Sequence, residues 1–178
     1  MDLKTKPIVK ILDPLVKPDH IAIIGASKVR GKQGNTAIRN LIHWGFKGQI
    51  SPVNPAGGEI EELHCYSKIA AIPDRIDCAM IVIPAGGVVE MVRQCADAGV
   101  RSVIIGASGF AELGSEAGIQ RQADITDIAR ASGLRILGPN TNGIFNATDR
   151  VSLGYNAVHG ELIQAGEISI ASHSGALF

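Results

Sequence analysis

Aromatic residues occupy only 4% of this 178-residue chain, cysteine occurs three times, and neither sign of charge dominates: 17 Lys and Arg stand against 17 Asp and Glu. Each shortage excludes something. A neutral balance removes the broad positive footprint that nucleic-acid and membrane-surface partners need, so no nucleic acid and no membrane is expected, and any anion site must be local. Cys65, Cys78 and Cys95 are an odd set without metal-ligand spacing. Cys78 and Cys95 lie in apolar stretches and read as buried free thiols, which points to no metal and to a reducing, cytoplasmic setting. The opening stretch MDLKTKPIVKILDPLVKPDH has no long apolar run, so neither a signal peptide nor a membrane span is expected from it.

What is plentiful is Ile, Val, Ala and Gly, a mixture that suits parallel strands buried between helices. HIAIIGAS reads as a buried strand from His20 to Gly25, GQISPVNP as a second, DCAMIVIPA as a third, RSVIIGAS as a fourth and LRILGPN as a fifth. Between them, NTAIRNLIHWGF, GVVEMVRQCADAG and GSEAGIQRQADITDIARASG carry apolar residues at helical spacing and stop at Gly45, Gly99 and Gly133. A short helix over Ile8 to Val16 precedes them, and CYSKIAAIPD reads as one or two helical turns. The alternation predicts an α/β fold with a doubly wound, mostly parallel sheet, Rossmann-like, over residues 1–146. VSLGYNAVHG shows no strong period. GEISIAS reads as one more strand and HSGALF as the start of a helix, so residues 147–178 are expected to be a linker and the opening of a second, incomplete domain. A strand followed by a barely started helix suggests a piece of a larger protein.

The stretch IIGAS occurs twice, at Ile23–Ser27 and Ile104–Ser108, each time ending a strand. The flanks differ, so the repetition reads as convergence on one geometry rather than duplication. Both ends fall at the carboxyl edge of a parallel sheet, where ligands bind, and small residues let a ligand approach the backbone. The first loop runs Gly25-Ala26-Ser27-Lys28-Val29-Arg30-Gly31-Lys32-Gln33-Gly34 into a helix, a turn suited to phosphate. It is not a dinucleotide fingerprint, because Ala26-Ser27 follows Gly25 and Asn54-Pro55 stands where an acidic ribose partner is needed. It is not a standard NTPase loop, because five residues separate Gly25 from Gly31 and Gln33 follows Lys32. What remains is a phosphate-bearing nucleotide held in another way.

The segments IAIIGAS…GKQGNTAIRNLIHWGFKGQISPVNP, IPDRIDCAMIVIPA, CADAGVRSVIIGASGFAELG and ASGLRILGPNTNGIFN together resemble the CoA-binding domain of NDP-forming acyl-CoA synthetases, the family of the succinyl-CoA synthetase α subunit and the ADP-forming acetate–CoA ligases. ISIASHSGAL is similar to the opening of that family's second, flavodoxin-like domain. The resemblance implies coenzyme A as cofactor. Gly25, Ser27, Lys32, Gln33 and Gly34 would cradle its phosphates, and Val53, Asn54 and Pro55 would line the adenosine. Pro84, Ala85, Ser108, Gly109 and Phe110 would flank the pantetheine, with Gly138-Pro139-Asn140 near the thiol. It also implies ligase and ATP-grasp domains or subunits as partners, with a homo-oligomer left open, and a phosphorylated histidine on a later loop, so no catalytic residue is assigned. Two departures stand out. Family members often carry Lys soon after Val-Asn-Pro, where this chain has Ala56-Gly57-Gly58, and His173 replaces the usual Gln. A stand-alone CoA-binding protein is one alternative, and an NAD-linked oxidoreductase or redox sensor another. Cys95 lies on the apolar face of its helix and reads as packing. His20, His43, His64 and His159 show no carboxylate or metal partner in sequence and read as structural or surface residues, as Trp44 and Phe46 read as packing and Glu112 as a solvated loop charge.

Overall fold

The computed structural model describes residues 7–173. Five strands form one parallel sheet: β1 (His20–Ile24), β2 (Gln49–Val53), β5 (Cys78–Ile81), β6 (Ser102–Ile105) and β7 (Arg135–Leu137), in the order β2-β1-β5-β6-β7. Four helices accompany them: α1 (Pro7–Val16), α2 (Gln33–His43), α3 (Ala85–Asp97) and α4 (Glu116–Ser132). The period-2 alternation of the strands divides the core. Ile21 and Ile23 of β1 face Ala37, Ile38 and Leu41 of α2, whereas Ala22 and Ile24 face the layer of Val88, Val92 and Cys95 from α3 and Ile125 from α4. Strands covered on both faces carry unbroken apolar runs, which is why these segments were legible as strands.

Two hairpins were not legible. The first joins β3 (Gly58–Ile60) to β4 (Leu63–Cys65) through Glu61 and Glu62, whose φ angles are +49° and +63°. Two-residue turns of this hand favour Asn-Gly or Gly-Gly, and Glu-Glu gives no such signal. Of the expected helical turn in CYSKIAAIPD, only a short 3-10 turn forms, over Ile69–Ala71. Glu62→Gly should relieve the left-handed backbone while adding entropy to the unfolded chain, for a net gain of about 0.5–1 kcal/mol. A urea titration showing no rise in midpoint would contradict this.

The second hairpin joins β8 (Ile144–Asn146) to β9 (Val151–Leu153), followed by a 3-10 turn at Ala157–Gly160. Residue 146, the expected boundary, is the last residue of β8 and lies within this hairpin. Val151 and Leu153 are fully buried against α2, and burying each contributes about 1.5–3 kcal/mol. Asn40 Nδ2 of α2 donates to Gly154 O (2.9 Å) and Trp44 Nε1 to His159 O (3.0 Å). Residues to Gly160 therefore pack on α2 and the sheet it covers. The further strand expected in GEISIAS does not form: residues 161–173 have no regular structure, with Ile168 88% and Ile170 77% exposed. Its apolar alternation finds no neighbouring strand to complete a ladder. The expected helix start in HSGALF lies outside the described residues, apart from His173.

Candidate functional site

The sheet order changes direction between β1 and β5, since β2 lies on one side of β1 and β5 on the other. Ligands of open α/β sheets bind outside the carboxyl ends at such a switch point. Gly25 sits there at φ +88°, and a Cβ on it would come within 2.5 Å of Val82 O and 2.8 Å of Ile83 Cγ2. Only glycine fits, because the β1–α2 loop runs hard against the end of β5. The amides of Gly25 and Ala26 both donate to Val53 O (3.1 and 3.2 Å), which ties the loop to β2 as well. α2 starts at Lys32 without a side-chain cap, and α3 starts at Pro84 without one. Neither has an acidic residue in its first turn. By contrast α4 is capped by Ser115 Oγ, which accepts from Gly118 N (3.2 Å). Two uncapped N-termini at the switch point leave backbone donors free for an anionic ligand.

The second IIGAS end shares a wall with the first. Gly109 packs on Ala85 at the start of α3, where an added Cβ would come within 3.0 Å of Ala85 Cβ. The β5–α3 turn thus meets both loops, the first at Ile83 and the second at Ala85. The second loop, however, is held from within. Glu112 accepts from Gly109 N (2.6 Å) and Phe110 N (3.1 Å), and Arg121 Nη1 donates to Gly109 O (2.7 Å). Partial burial alone would raise Glu112, but these backbone donors hold its carboxyl below the usual range. Glu112 is therefore an exposed charge that also ties down its own loop's amides.

Several expected contacts take a different role. Phe110 is fully buried and its ring belongs to the core. The Asn54 side chain is used internally: Nδ2 donates to Ala26 O (2.8 Å) and Oδ1 accepts from Ala56 N (2.9 Å), so it braces the crevice wall. Ser27 does not cap α2; its Oγ accepts from Val29 N (3.1 Å). Gly34 is buried where an added Cβ would stand 2.1 Å from Gly25 O, so it serves the close approach of α2 to β1. Val53 is buried, Pro55, Pro84 and Ser108 are exposed, and Lys32 and Gln33 are exposed at the helix start. Asn140 N donates to Ala107 O (2.9 Å), bringing the Gly138–Asn140 turn beside the second loop.

Other residues were missed because they arrive from afar. Asn35 Nδ2 donates to Ser27 O (3.0 Å) and Glu61 Oε1 (2.9 Å), so the β3–β4 hairpin supports the first loop. Tyr155 lays its ring against Gly106 and donates its hydroxyl to Gly106 O (3.0 Å), closing the end of β6; burial raises its pKa. Burial pushes the Cys78 and Cys95 thiols up to about 12, so neither is a nucleophile near neutrality. His20 and His159 are buried and hydrogen-bonded, and His43 and His64 are exposed. Among the described residues no cluster suits a metal ion, and no helix is long and apolar enough to cross a membrane.

Fold and crevice define a doubly wound α/β domain with two uncapped helix N-termini at its switch point. The model of the CoA binding domain family matches residues 19–147. Among curated relatives, an ADP-forming acetate–CoA ligase from Archaeoglobus fulgidus is 40% identical over 92% of this chain and 24% of its own length. The α subunit of an ADP-forming acetate–CoA ligase from Pyrococcus furiosus is 40% identical over 93% of this chain and 36% of its own. A crystal structure of a Pyrococcus horikoshii protein superposes with a TM-score of 0.85 at 35% identity, covering 93% of this chain and 37% of that one. The chain thus spans 24% to 37% of the length of these three proteins. It belongs to the CoA binding domain family, in the form carried by NDP-forming acyl-CoA synthetases. Coenzyme A is the cofactor that this membership assigns to the domain.

Proposed function

We propose that coenzyme A lies across the carboxyl ends of β2, β1, β5 and β6. Its diphosphate rests on the N-terminus of α2, within the turn of Gly25, Ser27, Lys32, Gln33 and Gly34. Its adenosine lies toward Val53, Asn54 and Pro55. The pantetheine runs past Pro84, Ala85, Ser108 and Gly109 toward Asn140. The observation that carries this reading is the pair of uncapped helix starts at the switch point, beside a glycine that admits no side chain. We read the whole protein as a ligase that joins a carboxylic acid to CoA with cleavage of a nucleoside triphosphate through a phosphohistidine. In it this domain holds CoA, while a flavodoxin-like domain opening near residue 166 and an ATP-grasp part carry the phosphoryl chemistry.

Calorimetry on the purified chain tests the first step. CoA should bind, and NAD should bind at least about tenfold more weakly, a gap of about 1.4 kcal/mol. NAD binding as tight as CoA would overturn the reading in favour of an oxidoreductase.

A further inference from the structure

With its diphosphate on α2, a nucleotide extends its ribose toward the carboxyl end of β2. In open α/β sheets this position tells cofactors apart: a carboxylate receives free ribose hydroxyls, and a cation receives a ribose phosphate. Here the chain after Val53 supplies neither. Both polar ends of Asn54 are spent on the backbone, and Pro55, Ala56, Gly57 and Gly58 are uncharged.

The charge comes from the neighbouring loop instead. Lys28 reaches from the β1–α2 turn across to the β2 end, where its Nζ lies 3.3 Å and its Cε 4.0 Å from the place a Cβ on Gly58 would take. Gly58 pairs with Cys65 across the β3–β4 hairpin. Burial raises the Cys65 thiol, and the Lys28 charge is close enough to act against that rise. Among the described residues Lys28 makes no ion pair. An ammonium without a carboxylate partner thus stands over the turn that borders the ribose, in space that a side chain at position 58 would invade.

We propose that Lys28 is the specificity residue for the 3′-phosphate of coenzyme A, bridging from the diphosphate loop to the Gly57–Gly58 turn. This rests on the CoA placement above and adds to it the residue that separates CoA from dephospho-CoA.

The test is a set of calorimetric titrations with CoA and dephospho-CoA. The original chain should bind CoA about tenfold more tightly than dephospho-CoA, the scale of one charge-assisted contact. Lys28→Met keeps the apolar stem of an exposed side chain and so should fold normally. It should lose about tenfold in CoA affinity, leave dephospho-CoA affinity unchanged, and erase the difference between the two. Added salt should weaken CoA more than dephospho-CoA in the original chain, and equally in the variant. Adding Ala56→Lys to Lys28→Met should restore the preference from the other side of the turn. If both ligands bind and the preference survives Lys28→Met, Lys28 is a solvated loop charge and the proposal falls. If neither ligand binds the original chain, the CoA placement itself falls.

Discussion

Replacing Gly34 with alanine should both unfold the domain more easily and abolish CoA binding. The added Cβ would stand 2.1 Å from Gly25 O and 2.9 Å from Ala26 Cα. These are backbone atoms at the end of the central strand, so no rotamer change relieves the clash. Either α2 lifts from β1 or the loop shifts. The loop cannot shift freely, because Gly25 is itself wedged against Val82 and Ile83, and its amide is bonded to Val53 O. α2 cannot lift without uncovering Ile38 and Leu41, both fully buried. The expected loss is about 2–3 kcal/mol, the upper range of overpacking at a tight site. Any folded remainder should have its helix start displaced from the phosphate, so CoA affinity should fall by more than a hundredfold, about 2.7 kcal/mol. Urea denaturation and calorimetry measure the two effects separately. Unchanged stability would mean that the β1–α2 contact yields cheaply, contrary to the packing described here.

Stability should also fall on mild acidification, through His159. Its ring stacks on Phe145 at 3.9 Å and 9°, and its Nδ1 lies 3.1 Å from Ser152 Oγ. It is 1% exposed. Burial lowers its pKa from 6.5 to about 4, against a smaller opposing effect of the Asn142 backbone acceptor. The sign follows from proton binding. The unfolded histidine takes up a proton near pH 6.5 and the folded one only near pH 4, so stability is full above the first value and is lost as pH falls toward the second. The total reaches about 3 kcal/mol, of which roughly 2 kcal/mol should be gone by about pH 5. Denaturation midpoints for the original chain and His159→Gln across that interval check this. The variant should show a flatter profile; parallel curves would move the effect to another group.

The same histidine shows why the β8–β9 hairpin was not legible. A three-residue strand buried along its whole length, such as Val151–Leu153, displays no alternation, so VSLGYNAVHG read as patternless. Its partners are Asn40, Trp44 and Gly106, over a hundred residues away for the first two. GEISIAS misled in the opposite direction. It has strand composition, but a strand exists only where a neighbour accepts its hydrogen bonds. Gly34 was read for phosphate, and its packing on Gly25 could not be read beside that, because a missing side chain looks alike whether a ligand or a backbone needs the room.

The sequence by itself determined the α/β class, the five parallel strands, the two glycine-ended loops and the likeness to CoA-binding domains. These depend on local periodicity and on glycines at strand ends, which operate within a few residues. Tertiary structure alone decided how the crevice is furnished. It tied Glu112 to the amides of its own loop and made Asn54 a brace and Phe110 core. It brought Tyr155 onto β6 and set Lys28 over the turn where its own strand offers no charge. Each of these is a contact between segments whose approach is governed by packing of the whole sheet. A side chain's partner, unlike its periodicity, is not written in its neighbours along the chain.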